Sequence, residues 1–157
     1  MIKSDMEFRS KLGIKGKARL QLFGADGLLK DERIIYNTIT ELMDAQVADQ
    51  MSDQGQAAIG YMAVGTGTGQ TSASTGLATN LDRNALTSTT QGTAAADNDV
   101  VYVATYPAGT GTGTITEAGI LNAASDGDLL CYSHFTGIAK AAGDALVINW
   151  TLTCGAS

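Results

Sequence analysis

Short stretches in which apolar and polar residues alternate, separated by Gly-Thr runs and small turn residues, constrain this chain's fold more than any other feature. Alternation puts every second side chain on one face of an extended backbone, so each stretch reads as a half-buried strand. The clearest is Ala145–Cys154, where Leu146, Ile148, Trp150 and Leu152 share a face and Cys154 falls in phase with them. Val100–Tyr106, Thr112–Leu121 and Leu129–Phe135 precede it. The breaks between them are the turn sequences Tyr106-Pro107-Ala108-Gly109, Ser125-Asp126-Gly127 and Ala141-Ala142-Gly143.

Upstream, Lys17–Phe23 alternates with Ala18, Leu20 and Leu22 on one face, and Gly24-Ala25-Asp26-Gly27 turns the chain into a second strand ending at Tyr36. One helix is expected over 38–53. Thr38 and Glu41 have the spacing of a capping box, Ile39, Leu42, Met43, Val47 and Met51 form an apolar stripe, and Gly55 ends it. Ile59–Val64 is a strand that runs into Gly65-Thr66-Gly67-Thr68-Gly69. Residues 70–98 carry weak order signals around one anchoring segment, Leu77–Arg83. Many short strands and one helix predict a mainly β protein: an antiparallel β-sandwich or partly open barrel with one covering helix. The expected division is an extended N-terminal arm over 1–15 and a single β-sandwich domain over 16–157, with the hairpin at 17–36 and further strands from 59 to 154.

Chemistry on this scaffold is sparse: the chain has one His, one Pro and two Cys among 157 residues. Gly65–Gly69 follows a strand but lacks the Lys of a phosphate-binding loop and opens no helix, so it reads as a flexible turn. His134 has no activated Ser or orienting acid in a recognisable pattern. The Asp97-Asn98-Asp99 and Asp126/Asp128 groups match no calcium loop. No catalytic residue, cofactor or metal site is therefore expected. No stretch reaches the roughly 20 apolar residues of a membrane helix, and the charged start Met1–Glu7 lacks the apolar core of a signal peptide. Cys131 and Cys154 accordingly read as reduced thiols; pairing would require the last strands to bring them together.

Charge is unevenly spread. Residues 1–33 hold eight of the ten Lys and Arg and sum to +3, whereas residues 34–157 sum to −9. A basic N-terminal region of an acidic protein suits an acidic protein neighbour, including a second copy, and Lys3, Arg9, Lys11, Lys15 and Lys17 are the expected partner contacts. Interleaved acids at Asp5, Glu7, Asp26, Asp31 and Glu32 argue against nucleic acid. Glu117 lies among positions that look buried, and a buried carboxylate needs a partner. Arg83 is the one basic residue between Arg33 and Lys140, so an Arg83–Glu117 ion pair tying the central loop to the sheet is expected.

Several segments, taken in order, resemble a family of small tailed-bacteriophage virion proteins of tail-fibre-like or decoration-like type. They are Asn37-Thr38-Ile39-Thr40, then Ala63-Val64-Gly65-Thr66-Gly67 with Leu77, Leu81 and Arg83 downstream. Thr114-Ile115-Thr116-Glu117-Ala118-Gly119-Ile120-Leu121 with Phe135, and Gly143-Asp144 with Val147-Ile148-Asn149-Trp150, complete the set. Ile120-Leu121 stands where the family pattern has Leu-Phe. The resemblance implies a non-enzymatic virion protein, assembled in the host bacterial cytoplasm, with other virion proteins as partners and a homo-oligomer, a trimer favoured. Capsid decoration that bridges shell subunits is the leading role expected. The alternative is a tail or tail-fibre component that attaches to the particle or presents receptor-binding loops, with Tyr61, Tyr102 and Tyr106 available to meet a glycan. Neither role involves nucleic acid or a membrane.

Overall fold

The computed structural model describes residues 13–155, and within them ten strands make two five-stranded antiparallel sheets. In chain order these are β1 (Ile14–Phe23), β2 (Leu29–Tyr36), β3 (Thr38–Ile39), helix α1 (Leu42–Ser52), β4 (Tyr61–Gly65), β5 (Asn80–Ala85), β6 (Ser88–Gln91), β7 (Asp99–Tyr106), β8 (Gly113–Leu121), β9 (Leu129–Lys140) and β10 (Ala145–Cys154). The first sheet has the order β2-β1-β10-β7-β6 and the second β3-β9-β8-β4-β5. The chain crosses between the sheets four times: at Asn37 between β2 and β3, at Leu86–Thr87 between β5 and β6, over 107–112 between β7 and β8, and over 141–144 between β9 and β10. The first two join edge strands, so there an outer strand of one sheet continues into the other across a corner, whereas the last two connect interior strands at one end of the sandwich.

Alternation does what it should in the first sheet. Ala18, Leu20 and Leu22 of β1, Tyr102, Ala104 and Tyr106 of β7, and Leu146, Ile148, Trp150 and Leu152 of β10 are buried in the main core. Met62, Val64, Ile115, Ala118, Ile120, Phe135 and Ile138 meet them from the second sheet. Each fully buried aliphatic or Phe side chain contributes about 1.5–3 kcal/mol. The two largest buried aromatics also satisfy their polar atoms. Trp150 Nε1–H donates to Asn37 Oδ1 (3.1 Å), and the Tyr106 hydroxyl donates to the Met62 carbonyl (2.5 Å).

The helix departs from its expected form. Thr38 and Ile39 are extended and pair with Tyr132 and Cys131 of β9, so the Thr38–Glu41 capping box does not form. Thr40 Oγ1 instead donates to the carbonyls of Leu129 and Leu130 (2.5 and 3.0 Å). Pairing with β9 satisfies backbone groups that a longer helix would have had to satisfy itself. Met51, placed by sequence in the apolar stripe, is 82% exposed, and Gln46 takes a buried position beside Met43. Gln46 is tolerated there because its amide donates to Ala57 O (2.9 Å) and accepts from Asn122 Nδ2 (3.1 Å). The helix closes on Asp53 in the left-handed region (φ 51°), two residues before Gly55. No helix among the described residues is long and apolar enough to cross a membrane.

Residues 70–98 are also more ordered than their sequence suggests, since they contain β5 and β6. Both are edge strands with mostly exposed or half-buried side chains, which removes the apolar alternation that would have marked them.

Candidate functional site

The second sheet carries a third layer. Residues 66–79 leave β4 and return to β5 as a loop whose ends are joined by Thr66 N–H donating to Thr79 O (3.0 Å). A compact surface loop with closed ends, packed by its own contacts, is a frequent functional element. Beneath it lies a small apolar cluster on the outer face of the sheet: Ala63, Leu121, Leu129 and Tyr132, with Tyr61 and Leu77 against them.

Glu117 is the centre of this arrangement. It is fully buried, and its Oε1 accepts from Gly67 N–H (2.9 Å) and Thr79 N–H (2.8 Å). Its Oε2 accepts from Ala78 N–H (3.1 Å) and from the Gln70 side-chain amide. One carboxylate thus binds both limbs of the loop through charge-assisted hydrogen bonds. Thr116 Oγ1 adds a bond to Gly67 O (2.8 Å), and the Tyr132 hydroxyl one to Gln70 O (2.8 Å). A register shift between Ile115 and Glu117 makes this possible. Ile115, Ala118 and Ile120 enter the main core, which strict alternation would not allow, and Thr116 and Glu117 are left to the loop.

The Gly-Thr run is therefore a fitted part and not a loose turn. A Cβ on Gly67 would stand 2.6 Å from Ala78 Cβ, 2.7 Å from Thr79 N and 2.8 Å from Glu117 Oε1. A Cβ on Gly65 would collide with Glu117 Oε1 and Thr79 O. These glycines permit close approach of the loop to the carboxylate.

The expected Arg83–Glu117 ion pair is not made. Arg83 Nη1 donates to the carbonyls of Ala123 (3.1 Å) and Asp126 (2.8 Å), securing the turn after β8. Three backbone amides and the Gln70 side-chain amide already fill the acceptor capacity of Glu117, so no cation is required. The two residues do serve related ends, since each ties a connection to the second sheet.

The opposite face of the molecule is built differently. On the outer side of the first sheet, Lys15 and Lys17 of β1 are exposed, and Arg19 is paired with Glu32 (2.9 Å). That ion pair and a bond from Gln21 hold the Glu32 carboxyl below its ordinary value. Beside them β2 exposes Ile34 (60%) and Tyr36 (77%), which face Arg19 and Lys17 across the strand pair. Two shallow troughs, about 340 and 210 Å³, run along this surface and share Lys17 and Thr151. Lys15, Tyr36 and Thr153 line the first, and Arg19, Ile34 and Asn149 the second. Lys3, Arg9 and Lys11, the remaining expected contacts, lie outside the described residues.

Other sequence candidates find quieter places. Tyr102 and Tyr106 are core residues, and burial pushes the Tyr102 phenol up to about 12, so neither is available to a glycan; Tyr61 is half-buried in the outer cluster. His134 is exposed on β9, while the neighbouring Ser133 hydroxyl donates to Tyr36 O (2.7 Å) and is not a nucleophile poised by the imidazole. Among the described residues no group of three His, Cys, Asp or Glu could hold a metal ion. Both cysteines are free. Burial drives the Cys131 thiol well above its ordinary value, and Cys154 is half-buried at an apolar groove of about 570 Å³ beside α1.

One polar knot escaped the sequence reading. Lys140 is 2% exposed, yet its ammonium donates to the carbonyls of Asp144 (2.7 Å) and Pro107 (3.1 Å). Burial pushes the Lys140 pKa down, opposed by Asp144 and Asp82. The Asp144 carboxylate accepts from Lys30 Nζ (2.7 Å) and Ala141 N–H (2.9 Å), and the Lys30 bond holds it below its ordinary value. Three connections are joined there, at one end of the sandwich.

The described residues thus form a β-sandwich with a clasped loop on one face and a cationic, partly apolar surface on the other. The chain belongs to the phage tail-collar fibre protein N-terminal family, which matches residues 32–153, more than three quarters of its length. It is thus a tailed-phage virion structural protein of tail-fibre-like type. No significant match was found among curated proteins or among solved structures. The membership supports the tail reading; capsid decoration, the first expectation from sequence, gains no specific support from it.

Proposed function

We propose that this chain is an attachment module of the tail, joining a fibre or collar assembly to its neighbours through the outer β1–β2 face, and that it performs no catalysis. The observation that carries this reading is the contrast between the two faces. The Gly-Thr loop that could have presented receptor contacts is bound down on Glu117, and two of the three tyrosines suited to a glycan are in the core. The β1–β2 face, in contrast, offers Ile34 and Tyr36 beside the exposed cations Lys15 and Lys17. Exposed aromatic and aliphatic side chains ringed by charge are the ordinary make-up of a protein interface. Glu32 already neutralises Arg19, which favours a protein partner over a polyanion.

The test is to disrupt purified particles into heads and tails and to follow the chain by immunoblot, with Lys15→Glu/Lys17→Glu/Tyr36→Ala as the variant. The wild-type chain should travel with tails, and the variant, folded by circular dichroism, should be missing from them. A chain that travels with heads, or a variant incorporated as well as wild type, would overturn the proposal. Saturable, sugar-inhibited binding of the isolated chain to host cells would favour receptor presentation instead.

A further inference from the structure

Four of the eleven acids in residues 34–157 gather on one element, within a stretch that carries no cation. From Ile34 to Asp82 there is no Lys or Arg, and of the five acids in that span Glu41, Asp44, Asp49 and Asp53 lie on α1 or at its ends. Met43 and Gln46 face inward, which leaves Asp44, Ala45, Ala48 and Met51 exposed on the outer side of the helix. That spacing forms one ridge: small residues, an apolar knob at Met51 and a flanking row of carboxylates.

The β1–β2 face is its counterpart in charge and in shape. It is cationic at Lys15 and Lys17, apolar at Ile34 and Tyr36, and hollowed by the two troughs that meet at Lys17 and Thr151. We propose that α1 of one copy docks on the outer β1–β2 face of a second copy, Met51 entering the trough beside Tyr36 and the helix carboxylates meeting Lys15 and Lys17. The eleven-residue helix is about 16 Å long, shorter than the ten-residue β1, which spans about 33 Å. The strand pair can therefore seat the whole ridge. The two surfaces are different patches, so the contact is head-to-tail and repeats into a closed ring or a chain of subunits. This inference rests on reading the β1–β2 face as an interaction surface, and it names the partner: an identical chain.

The experiment is sedimentation velocity on the full chain over a range of concentrations at low and high salt. Two variants accompany it, both altered only at exposed positions and checked by circular dichroism: Lys15→Glu/Lys17→Glu and Asp44→Lys/Met51→Lys. Wild type should self-associate, more weakly at high salt because exposed charge pairs are screened. Each variant should associate at least tenfold more weakly. An equimolar mixture of the two should recover a heterodimer, because each supplies the surface that the other has lost. A wild-type chain that stays monomeric up to millimolar concentration, assembly that survives both substitutions, or a mixture that does not recover would overturn the inference. If wild type is monomeric while the β1–β2 variant still drops out of tails, self-association fails and the attachment reading stands. A variant that enters tails normally sinks the attachment reading, whatever the sedimentation shows.

Discussion

Replacing Glu117 by Ala should unfasten the 66–79 loop, and its cost can be worked from the bonds it makes. The substitution removes the acceptor from Gly67, Ala78 and Thr79 N–H and from the Gln70 amide, while leaving the backbone in place. Each donor left without a partner costs about 1–3 kcal/mol. Ala78 and Thr79 are exposed residues whose amides can recover water, so the low end applies, and the total is about 3–4 kcal/mol. For a domain of this size each kcal/mol lowers Tm by about 2–4 °C, so the variant should melt roughly 6–16 °C below wild type. Glu117→Gln keeps one carbonyl oxygen for Gly67 and Thr79 but faces Ala78 N–H and the Gln70 amide with a second donor. It should lose about half as much. The assay is urea denaturation of each variant, paired with amide exchange at Gly67, Ala78 and Thr79. A Glu117→Ala chain within about 0.5 kcal/mol of wild type, the range of ordinary surface changes, with protection at those amides unchanged, would refute the clasp.

Further outcomes follow from the same contacts. A double-mutant cycle of Arg83→Ala and Glu117→Ala should be additive within about 0.5 kcal/mol, because the two side chains share no partner; a larger coupling would restore the ion pair. Gly67→Ala should destabilise by about 2 kcal/mol through overpacking, whereas Gly76→Ala, with open space around it and no positive φ, should stabilise by about 0.4–1 kcal/mol; equal effects in denaturation would contradict the close approach at Gly67. The folded Asp144 carboxyl lies below its ordinary value of 3.8, so its contribution is complete above that value and is lost as pH falls through the lower, folded one. Acid titration of stability should flatten in Lys30→Met, and an unchanged slope would show that the Lys30 bond is not its source. With iodoacetamide at pH 8, Cys154 should be labelled in the native chain and Cys131 only on unfolding, read by mass spectrometry of Cys154→Ser against wild type.

Strands with a strict period of two were legible wherever one face met the core. β10 covers the residues whose alternation marked it and β7 lies within a residue of its own, because in both the face toward the core is apolar; β8 also lies within a residue, although its register shift breaks the period and buries Glu117. Legibility failed where another interaction replaced that pattern. Thr38–Ile39 has the spacing of a helix start, but a free edge of β9 captured it, which no local rule could reveal. β5 and β6 are edge strands of polar residues, so they look like loop. β9 runs on to Lys140 past the polar Thr136-Gly137, and Lys140 is buried only because two carbonyls across a turn receive its ammonium.

The site was half visible for the same reason. Thr114–Leu121 points to Glu117 as a carboxylate in need of a partner, but the partners are mostly backbone amides, which carry no sequence signature. The glycines of Gly65–Gly69 offered the missing clue. Small residues spaced by two next to a strand permit a backbone to lie against a buried group, and flexibility was the wrong inference from them. The cationic face was legible as a charge imbalance, but not that Ile34 and Tyr36 would stand beside Lys17 and Arg19, since that depends on the β1–β2 register.

We propose that this chain works in the tail as a small structural subunit. Its copy number in purified particles, by quantitative mass spectrometry against the major shell protein, tests that most directly. A tail subunit should be present at a handful of copies per particle. A ratio approaching one per shell subunit, or a fixed large fraction of it, would contradict the tail assignment and return the chain to the head as a decoration protein.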